Sequence, residues 1–188
     1  MAALPLAAAL AVVTLTYWSV DIVSPAPPEI KDDLALSAAG AGLVFSFLFL
    51  GRLLGNFPAT YLLERSGAPI ASIGGGLLLA AGSAMAVLAP GSELLLVARM
   101  VQGAGISLVV NAGLRSILLA RPGRGIAMTY FGIAATFGGV FGLQIGGALT
   151  ESSGWRLIFV LSSMIGIIVA ALGLSFSRSG RSPHAEQP

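Results

Sequence analysis

Six apolar runs, each close to the length a helix needs to cross a bilayer, divide this chain: Leu4 to Val23, Ala38 to Leu63, Ile70 to Leu88, Leu94 to Leu118, Ile126 to Leu149 and Leu157 to Phe176. A helix of about 20 apolar residues spans the hydrocarbon of a membrane. Charged residues are 10% of the 188, against about 25% in soluble domains, and the mean hydropathy is +0.92. The expectation is an all-α membrane protein of six transmembrane helices filling residues 1–176. The first run has no Lys or Arg before it and outlasts the roughly 7 to 15 residues of a signal-peptide core, so it is read as a span. The longest connection, Ser24 to Ser37, is too short to fold alone and opens with Ser-Pro-Ala-Pro-Pro. Proline cannot donate the helical hydrogen bond, so the first helix should stop there. From Ser177 the composition turns to Ser, Arg, Gly, Pro and Gln without periodicity, which reads as a polar tail or the start of a linker over 177–188.

Lys and Arg in the connections mark the cytoplasmic side. Arg65, Arg121, Arg124, Arg178 and Arg181 fall on one side of the six spans and Lys31 and Arg156 on the other, which places both ends of the chain inside. The sequence pI near 9.5 then needs no nucleic-acid partner. With no cysteine, and the one histidine, His184, in the tail, neither disulfides nor a metal centre are expected. Nucleophilic catalysis wants Ser or Cys beside a base, and an ATP motor wants a Gly-rich loop ending in Lys-Ser or Lys-Thr. Neither pattern is present, so the chain is not read as an enzyme and no cofactor is expected.

An ionisable side chain inside a span marks function by default. Asp21, Arg52, Arg99 and Arg115 lie within the runs. Arg115 is near enough to the inner end to snorkel and is read as an anchor. Arg52, at about 1.5 Å per residue, sits roughly 21 Å from one end of its span and 17 Å from the other. Arg99 and Asp21 have similar depths near the outer end, so an ion pair between them is geometrically open. Asp21 reads either as a proton-loading group or as an interfacial carboxylate facing water. Gln102 follows Arg99 by one turn, Asn111 precedes Arg115 by one turn, and Asn56 follows Arg52 by four. These amides either line a wetted wall with Arg52 or bind helices together. Gly138, Gly142 and Gly146 recur every four residues, followed by Gly147, and Gly51 with Gly55 repeats the spacing. Such stripes let helices approach closely, either as static packing or as a surface for sliding.

Four segments carry a resemblance. Gly55 to Gly67, with Leu62, Glu64, Arg65 and Gly67 at the matching places and Thr60 and Ala68-Pro69 departing, resembles the inner-loop signature of the major facilitator superfamily. Arg99-x-x-Gln102-Gly103-x-Gly105 is similar to that family's fourth-span motif. Ile22-x-x-Pro25-Ala26-x-Pro28-x-Ile30 is similar to the end of the first span in its drug:proton antiporters. Gly138-x-x-x-Gly142-Leu143-x-x-Gly146-Gly147 resembles the fifth-span antiporter motif, with Leu143 in place of a kinking proline. The four fall in family order over the whole chain. The resemblance implies two inverted three-helix repeats, which is half of the family's fold, and a second six-helix half as partner. It implies proton-coupled export of a small organic solute, with Asp21 and Arg99 coupling protons, Arg52, Asn56 and Gln102 lining the cavity, Glu64, Arg65 and Gly67 at the inner gate, and the fifth-span glycines packing. Uptake of an organic anion and a nontransporting scaffold are the competing expectations.

Overall fold

The computed structural model describes residues 3–120 and 123–176. Arg121 and the expected tail, with Arg178, Arg181 and His184, lie outside the described residues. The described chain is helical: α1 (Ala3–Asp21), α2 (Pro27–Asp33), α3 (Ala38–Val87), α4 (Ser92–Ala120), α5 (Arg124–Ser153) and α6 (Trp155–Gly173). All but α2 are long and apolar enough to cross a membrane. Every expected span coincides with one of these helices or one limb of α3, although Val23, Leu88 and Phe176, the expected ends of three spans, fall just beyond the helix ends.

Two connections differ from expectation. Ser24 to Ser37 is not plain coil: Pro27 and Pro28 occupy the first turn of α2, where proline's fixed φ is favourable and its missing N–H costs nothing. Ile30 of α2 is fully buried and pins the segment to the bundle. The loop expected between the second and third spans has shrunk to one residue. Gly67, at φ 84° and ψ 171°, breaks α3 into limbs 38–66 and 68–87. That region of backbone space is open essentially to glycine alone.

The neighbours of α4 show that the limbs run in opposite directions. Along the first limb Val44, Arg52 and Asn56 meet Arg99, Ser107 and Asn111 in turn, so the two helices are parallel. Along the second, Gly82 lies on Gln102 and Gly75 on Gly105, so the order is reversed. α4 is thereby held between the two limbs of one hairpin.

The glycine stripes work as backbone contacts. Gly51 and Gly55 press on Met100 and Ala104 of α4, while Gly138, Gly142 and Gly146 press on the carbonyls of Thr14 and Trp18 in α1 and of Ile22 just past its end. A Cβ at Gly55 would come within 2.7 Å of the Ala104 Cα, and one at Gly142 within 2.7 Å of the Trp18 oxygen. Between apolar helices in lipid such close packing, rather than burial from water, supplies much of the attraction. Gly147 does not join the stripe: nothing lies within 4 Å of where its Cβ would stand. It follows Gly146 by about 100° of helix rotation and so faces away from α1.

α6 closes the second limb from the far side, with Gly76 against Gly166 and Ala170, and the Ser163 hydroxyl donating to the Ala80 carbonyl at 3.1 Å. Two apolar cores result. Val12, Val13, Ala71, Val109, Ile117 and Val169 fill the end near Gly67. Ile22, Ile30, Val44, Leu95, Trp155 and Phe159 fill the other. Between them stand Val20, Leu48, Leu79 and Ile106.

Candidate functional site

The residues expected to line a cavity separate into two groups, one on an open wall and one sealed in the core. On the wall, Arg52 is half-buried at the middle of the 38–66 limb. Its guanidinium carbon lies 6.0 Å from the Tyr17 ring centre and 5.7 Å from that of Phe49. The Ser107 hydroxyl ties the Arg52 carbonyl to α4 at 2.6 Å. One turn further along, the Asn111 amide donates to Asn56 Oδ1 at 3.1 Å and to the Ser107 carbonyl at 2.8 Å. Asp21 follows Tyr17 by one turn on α1 and is also half-buried. Its carboxylate sits over Gly139 of α5, where a Cβ would come within 2.8 Å of Oδ2. The charge that acts on Asp21 is Arg52, although the two form no ion pair.

Arg99 and Gln102 are in the second group, away from any open surface: Arg99 is 0% exposed and Gln102 1%. Arg99 Nε donates to the Val44 carbonyl at 3.2 Å and Nη1 to Gln102 Oε1 at 2.7 Å. Gln102 Nε2 then donates to the Ser83 hydroxyl at 2.7 Å, and Ser83 to the Leu79 carbonyl at 2.7 Å. The rings of Phe45 and Phe159 flank the guanidinium at 5.9 and 5.6 Å. Nη2 has no hydrogen-bond partner. The ion pair considered between Arg99 and Asp21 is not formed, and Gln102 does not line the wall. The physical reason is that α4 lies between both limbs of α3, so the face carrying Arg99 and Gln102 is covered, while Asp21 is drawn towards the gap at Gly139.

At the Gly67 end, Arg65 Nη1 donates to the Tyr61 hydroxyl at 2.6 Å, and the guanidinium lies over the same ring at 5.9 Å. Glu64 is exposed and makes no ion pair with Arg65. Gly67 is the reversal itself.

The opposite end holds a cluster that sequence reading missed. Asp33 Oδ2 accepts from Trp155 Nε1 at 3.0 Å and from Arg156 Nη1 at 2.5 Å. Arg156 Nη2 reaches the Ala89 carbonyl at 3.4 Å, and the guanidinium stacks on Trp155 with 4.3 Å to the ring centre. Arg156 thus touches all three connections at this end. The hydrogen bonds from Arg156 and Trp155 hold the Asp33 carboxyl below the usual carboxylate range. Glu29, Asp32, Asp33, Ser153, Gly154, Trp155 and Arg156 line a shallow cleft of about 360 Å³ here. In the sequence Arg156 counts only as a marker of sidedness; its partner is 123 residues away, and no local pattern points to it.

Among known proteins, the model of the Major Facilitator Superfamily matches residues 9–188. The uncharacterized MFS-type transporter EfpA of Mycobacterium tuberculosis is 30% identical over 156 residues, which is 77% of this chain and 28% of that protein. The multidrug efflux pump SdrM of Staphylococcus aureus is 29% identical over 157 residues, 80% of this chain and 34% of the pump. The hexuronate transporter of Bacillus subtilis is 28% identical over 165 residues, 86% of this chain and 39% of the transporter. The chain therefore spans well under half the length of these relatives.

Proposed function

This chain belongs to the major facilitator superfamily, and on that premise we propose that it is the N-terminal half of a secondary active transporter, exporting a small organic solute by proton-coupled alternating access against a second six-helix half. The supporting observation is the wall itself. Tyr17, Asp21, Arg52, Asn56 and Asn111 bring two opposite charges and two amides to one partly open face of otherwise apolar helices. Polar groups at that depth are costly unless they meet water or a ligand.

In this reading residues 1–176 form one bundle, with 177–188 leading into a linker. α1 with the two limbs of α3, and α4 with α5 and α6, are its inverted repeats. The packing supports this: the glycines of limb 38–66 press on α4 just as those of α5 press on α1, both in parallel pairs. Both ends of the chain face the cytoplasm of a bacterial-type plasma membrane, with Arg65 and Arg124 inside and Lys31 and Arg156 outside.

Asp21 carries the proton, and Arg52 and Asn56 contact the solute. Arg99 acts from the buried side. A guanidinium with one nitrogen unpartnered favours any rearrangement of α4 against limb 38–66 that offers it a better partner, and Gln102 holds it in the present one. Glu64, Arg65 and Gly67 form the inner gate. The test is efflux from vesicles holding this chain together with a second half. A proton gradient should drive export of a drug-like dye, and Asp21→Asn and Arg99→Ala should each abolish the coupling. Coupled export by both variants at the parent rate would overturn the reading. Arg52 on the wall favours a second possibility, uptake of an organic anion. Competition by carboxylates rather than by organic cations in the same vesicles would identify it.

A further inference from the structure

The wall presents its two opposite charges without letting them neutralise each other. Asp21 and Arg52 interact through space but form no ion pair. The cause is visible in the neighbouring helices. Gly139 leaves a notch on α5, and the Asp21 carboxylate occupies it, with Oδ2 only 2.8 Å from where a Cβ would stand. Arg52 is held one turn away along the same wall, against the rings of Tyr17 and Phe49, with its backbone fixed by Ser107. Gly139 lies outside the glycine stripe that packs on α1 and is only half-buried, so close helix packing does not explain its lack of a side chain.

A separated carboxylate and guanidinium on one half-buried surface form a dipolar receptor. Water solvates each charge incompletely there, and a ligand bearing one charge leaves the other group unmatched. A ligand with both charges, set far enough apart, satisfies the two together, and its aliphatic or aromatic middle can lie along Tyr17. We propose that this wall binds an organic zwitterion, with its ammonium group on Asp21 and its acidic group on Arg52, Gly139 being the residue that keeps the two receptors apart.

The assignment rests on the transporter reading for its biological sense, but its test needs no transport. The whole chain in lipid nanodiscs is titrated with ε-aminocaproate, hexanoate and hexylammonium, followed by tryptophan fluorescence, Trp18 being the neighbour of Tyr17 on α1. The zwitterion should bind about tenfold tighter than either singly charged probe, the worth of one further charge-assisted contact. Asp21→Asn should erase its advantage over hexanoate, and Arg52→Gln its advantage over hexylammonium. Arg52→Lys should keep much of the preference. Gly139→Ala, which displaces only the flexible end of Asp21, should reduce the preference while leaving helicity by circular dichroism unchanged. Equal binding of the three probes, binding of none, or a preference that survives Asp21→Asn and Arg52→Gln would overturn the proposal. Zwitterion preference in a chain that never supports transport would sink the transporter reading and leave the receptor standing.

Discussion

An arginine in a membrane helix is costly, about 2.5 to 3.5 kcal/mol at the helix centre, and Arg99, nearer one end of its helix, shows how that cost is offset without a carboxylate beside the charge. A backbone carbonyl, an amide and two ring faces surround the charge, and the amide is itself anchored by Ser83. Gln102 is the hinge of this arrangement, because its oxygen serves Arg99 and its nitrogen serves Ser83. Replacing it with Leu removes both bonds while nearly preserving bulk, and leaves a second guanidinium nitrogen without a partner. Bonds to charged groups are worth about 1.5 to 3 kcal/mol. Gln102→Leu is therefore expected to destabilise the chain by about that amount, read as a lowered thermal midpoint in detergent. Gln102→Glu, which keeps the acceptor and adds a charge, should lose much less. An unchanged midpoint in Gln102→Leu would show that the buried network contributes nothing to stability.

At the scale of helices, the two glycine stripes make a sharper claim than composition does. Gly142 has the Trp18 oxygen 2.7 Å from its missing Cβ, whereas at Gly132, on the same helix, nothing lies within 4 Å. Gly142→Leu must force α1 and α5 apart and should cost about 1 to 3 kcal/mol, as overpacking of a close contact does. Gly132→Leu should leave the thermal midpoint unchanged. The spans and the stripes were legible because apolar length and four-residue spacing are local properties of the chain. Gly147 was misread because membership of a motif says nothing about the face on which a residue falls. The sealing of Arg99 and Gln102 was not legible at all. It depends on α4 being enclosed by both limbs of α3, and that follows from the one-residue reversal at Gly67, where the sequence suggests an ordinary loop. Of the wall, Asp21, Arg52 and Asn56 stood out as polar residues in apolar runs. Tyr17 and Gly139 did not, since an aromatic and a glycine in a membrane helix carry no polarity signal.

Across the whole molecule the two ends are built differently. At one, three connections meet on Arg156; at the other, two limbs meet at Gly67. The Arg156 cluster depends on pH. Asp33 is held below the usual carboxylate range by Arg156 and Trp155, with Glu29 and Asp32 beside it in the cleft. A carboxylate depressed in the folded state adds stability above its unfolded value and loses it as pH falls through the folded one. The thermal midpoint of the parent should therefore drop more steeply than that of Asp33→Asn as the medium is acidified below the usual carboxylate range. Parallel curves for the two proteins would mean the cluster has no stabilising role. The Gly67 reversal has a mechanical consequence. A turn of one residue contains no slack, so torque on either limb passes directly to its twin. Movement at that end must swing both rods as one lever about the helix wedged between them, and a few extra residues spliced in at the bend would let each rod turn without the other.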